Sequence, residues 1–209
     1  MKSIVFNERD YDLPYEAQPE RNVFAFVDLR LHPELVETIP ELKQVPPLKF
    51  QVLAFNQPNG PFMTHGCAVA GKPPGAEHSP IPVPEPSKNA PFWCTTCVLF
   101  SFWLLDDNTA SRYQEMFDSY SFDREDQSVC FEVQKTYFWK PEEIRAGFRD
   151  NRAEWHACLL WTSGWGGSKA QAIRGWERCN QDVIEFVKAY GTPDSPGGVT
   201  VSHRLSRPL

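Results

Sequence analysis

Apolar positions recur along this chain at two spacings. Over 128–138 they alternate. Val129, Phe131, Val133 and Tyr137 fall on one side and Glu132, Gln134 and Thr136 on the other, the two-residue period of a strand. The same period over 22–31 sets Val23, Ala25, Val27, Leu29 and Leu31 against Phe24, Phe26, Asp28 and Arg30, and predicts a strand there. LKFQVLAF (48–55) predicts a second strand. TCVLFSFWLL (96–105) is apolar at nearly every position, the pattern of a strand buried on both faces.

Elsewhere the spacing is helical. Leu35, Val36, Ile39 and Leu42 share one face over 32–45. Pro33 suits a first turn there, and Pro40 kinks or ends the helix. Tyr113, Met116, Phe117 and Tyr120 align over 106–120, with Asp107 or Asn108 as the cap. Residues 140–161 begin with Pro141 and two acids and carry the stripe Ile144, Phe148, Trp155 and Leu159, predicting a third helix. A fourth, over 168–191, opens on Ser168 and Gln171, a capping-box pair. It turns Ile173, Trp176, Val183, Val187 and Tyr190 inward and ends at Gly191 and Pro193.

The remaining segments are irregular. Residues 1–21 read as a partly extended arm, and Val199–His203 as a short edge strand in the tail. Eight prolines lie between Pro61 and Pro91, which excludes a regular helix or a central strand and favours an extended, polyproline-like state. Strand–helix–strand therefore occurs twice, at 22–55 and 97–138. The fold expected is a single α+β domain over 1–209. It has a mainly antiparallel sheet built from two βαβ-like halves, ferredoxin-like in character. Two C-terminal helices pack on the sheet, and a Pro-rich irregular insertion occupies 56–92.

Composition narrows the function classes. Of 209 residues, 41% are hydrophobic and 23% charged, values that support a packed core. The net charge of −6 is uneven: residues 1–103, 104–143 and 144–209 carry −3, −6 and +3. The acidic middle argues against nucleic acid as a partner, because phosphate recognition needs a basic footprint. No apolar run is long enough to span a membrane, and the first residues, MKSIVFNERDYD, lack a secretory pattern. The location expected is cytoplasmic, with the six cysteines as thiols, ligands or redox groups rather than a disulfide framework.

PFWCTTC (91–97) carries the most chemistry. A tetrahedral zinc site takes about four nitrogen or sulfur ligands, often from two close pairs. Cys94 and Cys97 form one such pair. His65 and Cys67, in MTHGCAV across the Pro-rich segment, form the other, and His78 is a spare ligand. Zinc deaminases share a Cys-x-x-Cys pair, but their His-x-Glu has Cys67 in place of the glutamate here, so no working deaminase is expected. Over five residues WCTTC resembles the active-site motif of thioredoxins, which implies thiol redox chemistry at Cys94 and Cys97. The plain alternative is that Cys97 packs in the strand core and Cys94 sits at its mouth, as Cys130, Cys158 and Cys179 do on their own elements.

SGWGGSK (163–169) is a glycine-rich turn opening a helix, with Lys169 adding charge. It can hold an anion or simply connect two helices; the P-loop spacing is absent. Asp150, Glu154 and His156 suggest either acid–base work or an exposed face paired with Arg145, Arg149 and Arg152. Asp106 and Asp107 end a strand and are explained by capping. Trp93, Trp161 and Trp165 are candidate anchors for a ligand or partner. Three functions follow. The first is a soluble accessory or binding protein holding a small apolar ligand or a protein partner through the Pro-rich loop and aromatic surface. The second is a small enzyme with a zinc or acid–base site near His65, Cys67, Cys94 and Cys97. The third is a thiol redox protein.

Overall fold

The computed structural model describes residues 1–13, 27, 29–58, 60–70, 90–102, 109–138 and 153–190. Five strands form one mixed sheet: β1 (Lys2–Leu13), β2 (Phe62–Ala70), β3 (Phe92–Phe102), β4 (Gln127–Phe138) and β5 (Ala153–Gly166), in the order β1-β4-β5-β3-β2. β1 runs parallel to β4, and the other three pairings are antiparallel. A 3-10 turn (Pro33–Thr38) precedes the helices α1 (Pro40–Gln44), α2 (Pro46–Phe55), α3 (Thr109–Ser119) and α4 (Lys169–Tyr190). No helix of the described residues is long and apolar enough to cross a membrane.

The fold is α+β, with several departures from the sequence pattern. LKFQVLAF is helix α2, not a strand. Pro46 and Pro47 occupy its first turn, where a missing N–H costs nothing. Leu48, Val52, Ala54 and Phe55 are all buried, and a helix apolar on most sides leaves no periodicity to tell it from a strand. The third predicted helix is instead strand β5 from Ala153 onward, so the two C-terminal helices reduce to α4 among the described residues. ACLLW (157–161) is a continuous apolar run because β5 is a central strand, with β4 on one side and β3 on the other. Part of the supposed N-terminal arm is β1, and Phe62–Ala70 of the Pro-rich segment is strand β2. Residues 29–31 form a turn, not a strand end. The first βαβ-like half, at 22–55, is not seen, whereas the second, at 97–138, is β3–α3–β4, its two strands both antiparallel to β5 between them; the sheet as a whole is mixed rather than mainly antiparallel. Residues 22–26 and 28, 71–89, Asp107 and Asn108, 139–152 and the Val199–His203 strand lie outside the described residues.

Strand register sorts the side chains into two faces. Phe131, Leu160 and Val98 form one row across β4, β5 and β3, and Val133, Cys158 and Phe100 form the next. These rows, with Phe62 and Phe102, meet α2, α3 and α4 in a single core. Tyr113 of α3 meets Phe100 edge-on and Phe102 at a tilt, and donates its hydroxyl to the carbonyl of His156 (3.0 Å). Lys2 reaches across to the carbonyls of Phe117 and Tyr120 (2.9 and 2.7 Å), a cation at the carbonyl end of α3.

On the helix face the polar groups close on one another. Trp176 Nε1 donates to Thr96 Oγ1 (2.9 Å), and Thr96 and Thr162 share a proton at 3.0 Å. Thr162 donates to Asn180 Oδ1 (3.1 Å), and Asn180 Nδ2 returns to the carbonyl of Trp176 (3.0 Å). Since Thr162 spends its only proton on Asn180, Thr96 must donate to Thr162. A second clamp joins α2 to β2: Asn56 Nδ2 donates to Thr64 Oγ1 (2.7 Å) and to the carbonyl of Val52 (2.8 Å), while its Oδ1 accepts from Thr64 N–H (3.1 Å).

Gly164 sets how closely α4 lies on β5. A Cβ there would stand 2.1 Å from the backbone nitrogen of Trp176 and 2.5 Å from the carbonyl oxygen of Ala172. Backbone cannot yield as a flexible side chain does. Gly164→Ala should therefore lower the unfolding free energy by about 3 kcal/mol or more in urea melts. Gly66→Ala, with nothing within 4 Å of its Cβ position, should change it by less than about 1 kcal/mol.

Candidate functional site

The four proposed zinc ligands occupy two adjacent strands, and strand geometry separates them. β3 pairs with β5 without a break from Phe92 to Phe100, so Cys94 and Cys97, three residues apart, point to opposite faces. Cys67 pairs with Val98 on the core side. His65 lies at the irregularity between Thr64 and Gly66, and its Nε2 meets Ser101 Oγ at 2.7 Å. Ser101 is four residues from Cys97, roughly 13 Å along a strand. Among the described residues no group of three or more His, Cys, Asp or Glu is placed to hold a metal ion.

The same geometry bears on redox chemistry. Three residues of strand set the Cys94 and Cys97 Cα atoms roughly 10 Å apart, beyond the limit of about 7 Å for a disulfide. All six cysteines are free. Burial pushes the Cys94 thiol up to about 11 and those of Cys67 and Cys97 up to about 12. A thioredoxin-like thiol instead needs a helix N-terminus or a cation that lowers its pKa. Cys130, Cys158 and Cys179 are buried, as small apolar residues commonly are.

Trp161 occupies the face of the sheet away from the core, in one row with Cys130 and Cys97. Its indole N–H donates to Glu132 Oε2 (3.1 Å), and Gln134 Nε2 donates to Oε1 (2.8 Å). Glu132 is only 4% exposed, so the polar side of β4, which alternation would turn to water, is buried and hydrogen-bonded. Glu154 and His156 are on β5, not on a helix, and Asp150 and Asp106 lie outside the described residues.

The sheet end near SGWGG is different. The glycines close strand β5 and lead into α4, so the segment is a strand-to-helix connection rather than a helix–helix turn. Trp93 and Trp165 face each other across β3 and β5, with ring centroids 6.2 Å apart. Ser168 accepts from the N–H of Gln171 (3.3 Å) and caps α4 as its position suggested. Beside Trp165 is an open cleft of about 360 Å³, lined by Asp126, Trp165, Gly166, Gln171, Arg174 and Arg178. Trp165 N–H donates to the carbonyl of Asp126 (3.1 Å). The Asp126 carboxylate accepts from Arg178 (2.6 Å) and from Gln127 Nε2 (3.2 Å). Lys169 is exposed at the start of α4 and does not line the cleft.

Of the anchors read from the sequence, the structure brings Trp93 and Trp165 together and leaves Trp161 tied to Glu132. The arginines were missed, although a signal for them exists. Gln171, Arg174 and Arg178 fall at i, i+3 and i+7, one polar stripe along α4 beside its apolar face. Asp126 has no sequence signal, because only the fold carries the entry to β4 against α4.

Burial drives the pKa of His65 down to about 3; its Nδ1 is shielded from water although the residue is only half-buried. The folded value lies below the unfolded one of about 6.5. The neutral ring's stabilisation is thus full above about pH 6.5 and is lost as pH falls toward 3. In urea melts between pH 6.5 and 4, His65→Gln should flatten the acid-side loss of stability, which one such group can steepen by up to about 1.4 kcal/mol per pH unit. An unchanged slope would mean that the ring titrates normally. No family model matches the chain, and comparison with the curated proteins and with the solved structures finds no significant match.

Proposed function

We propose that this is a binding protein whose ligand sits at the end of the sheet, where β5 passes into α4. The observation that carries the reading is the cleft of about 360 Å³ between Trp165, Gly166 and the first turns of α4. Its size is at the lower end for small-molecule sites, and several polar groups converge on it, as they do in such sites. The lining favours a ligand with a polar portion over a wholly apolar one, because four of its six residues are Asp126, Gln171, Arg174 and Arg178. The expected contribution of the Pro-rich loop falls mostly on residues outside those described.

The site is mounted on rigid parts. Gly166 admits the close contact with α4: a Cβ there would meet Gln171 Cβ at 2.6 Å. Such a mounting keeps a small cleft in shape without a ligand, which lowers the ordering cost of binding.

A fragment screen followed by amide chemical-shift mapping tests the reading. Ligands should shift the backbone amides of Trp165, Gly166 and Gln171 together and saturably. Arg174→Ala should weaken them at least tenfold while leaving the rest of the spectrum folded. Ligands that bind Arg174→Ala as tightly as the unaltered protein would place the site elsewhere.

A further inference from the structure

We infer that β2 is the pairing edge of a symmetric dimer, in which the strand runs antiparallel to its own copy in a second chain over Gly66–Ala70. The order β1-β4-β5-β3-β2 leaves β1 and β2 each with one side free of any strand among the described residues. Such an edge presents N–H and C=O groups from alternate residues, a template for another strand, and edges that must stay single are interrupted by charge or proline. β1 has that protection: Lys2, Glu8, Arg9, Asp10 and Asp12 fall within its twelve residues. β2 does not. Its sequence, FMTHGCAVA, contains no Asp, Glu, Lys, Arg or Pro. Its register is irregular between Thr64 and Gly66, and from there Gly66 to Ala70 pair with Leu99 to Thr95 without a break. That straight stretch is open: Gly66, Ala68 and Val69 are exposed, Val69 at 42%. Among the described residues, none of Gly66–Val69 hydrogen-bonds to any element but β3.

The occupant follows from the charge and size of the edge. A strand laid on β2 meets no charged side chain, so an acidic or basic peptide gains nothing there from cross-strand pairing. Its own copy fits it. Turned about a two-fold axis at Ala68, the stretch sets Ala68 opposite Ala68, Cys67 opposite Val69 and Gly66 opposite Ala70. All are uncharged and none is larger than valine, so no like charges face each other. Cys67 and Val69 lie on the helix side of the sheet, beside Val98 and Thr96, so each exposed Val69 is covered by the Cys67 of the other copy. Pairing β2 with β1 of another copy would be heterologous and would continue as a filament, and the charges of β1 oppose it. Pairing β2 with β2 closes, and joins the two sheets into one. Five residues give about 17 Å of edge, a contact well below the roughly 1,200–2,000 Å² of stable complexes, so the dimer forms reversibly. Each copy carries a net charge of −6, a repulsion that salt screens.

Sedimentation velocity on the full chain, from about 2 to about 500 μM, tests this in the range of a weak complex. A single reversible monomer–dimer step should appear, and it should tighten when salt is raised. Val69→Lys should weaken it at least tenfold with an unchanged urea midpoint, since Val69 is exposed. Ala68→Cys should give a disulfide-linked dimer under mild oxidation, because residues directly opposite in an antiparallel pair have Cα atoms about 4.5–5.5 Å apart, within disulfide reach. Lys188→Cys, exposed on α4, should not. A chain that stays monomeric at the highest concentration would overturn the self-pairing and leave the edge to a strand of another protein. A dimer that survives Val69→Lys and is not cross-linked in Ala68→Cys forms elsewhere, which overturns it as well. A dimer that weakens in high salt is held by charges that this stretch lacks, with the same consequence. Species that grow beyond the dimer would overturn the closed two-fold arrangement.

Discussion

The approach of α4 to β5 at Gly164 is the constraint on which the other features depend. With no side chain at that position, the helix backbone at Ala172–Trp176 lies directly on the strand. Only at that distance can Trp176 and Asn180 reach Thr96 and Thr162, which lie side by side on β3 and β5. The four groups make a closed set in which each buried polar atom finds a partner, and a break in such a set leaves a desolvated donor or acceptor costing about 1–3 kcal/mol. The apolar row of α4, with Cys179, Val183 and Val187, then continues over the sheet to the Phe62 and Tyr190 contact. The position of the whole helix is thus set at its first turns by a missing side chain and along its length by burial.

How much of this was legible follows from where water lies. α3 and α4 each have one wet side, so their apolar stripes read correctly, and the Ser168 cap marked the start of α4. β4 was legible from its alternation, although Glu132 and Gln134 on its polar side are buried. α2 and β5 were not legible. β5 is apolar on nearly all sides between β3 and β4, and burial on both faces erases the period that separates helix from strand; in α2 the pattern fails because the apolar Phe50 is 61% exposed while the polar Gln51 is buried. The first strand was misread for another reason. In KSIVFNERDYDL apolar residues are few beyond Phe6, and β1 gains its place by lying parallel to β4, a pairing of distant segments that no local pattern can announce.

The site divides in the same way. Trp161 and Trp165 drew attention as tryptophans flanking the glycine turn, and Trp93 as one of the aromatics dense around the sheet; the register of β3 on β5 sets Trp93 and Trp165 face to face. Cys94 and Cys97 drew attention through their spacing, but spacing has meaning only within an element. On a turn, Cys-x-x-Cys converges two sulfurs on one point; on the straight strand β3 it sends them to opposite faces. Asp126 belongs to the cleft because its carbonyl accepts from Trp165 N–H, continuing the β4–β5 ladder, and Arg178 of α4 pairs with its carboxylate. Exposed pairs of this kind add little stability, so the ladder rather than the ion pair sets the register.

That register decides what a ligand of the proposed site would have to overcome. The backbone of Trp165 is tied to Asp126, Asp126 to Arg178, and Gln171 to the Ser168 cap. A ligand need not order any of these main-chain elements. The freedom it removes belongs to the outer ends of the Gln171 and Arg174 side chains, at about 0.5–1.5 kcal/mol each. A shallow cleft offers limited contact area, and area alone does not give affinity. A site of this size can hold a small molecule only if most of its lining is fixed beforehand, and α4 achieves this by dividing its two faces. One face is locked to the sheet through Gly164, Trp176 and Asn180. The other, roughly 100° or more around the helix axis, carries the polar stripe of Gln171, Arg174 and Arg178 to the surface with the helix backbone already in place.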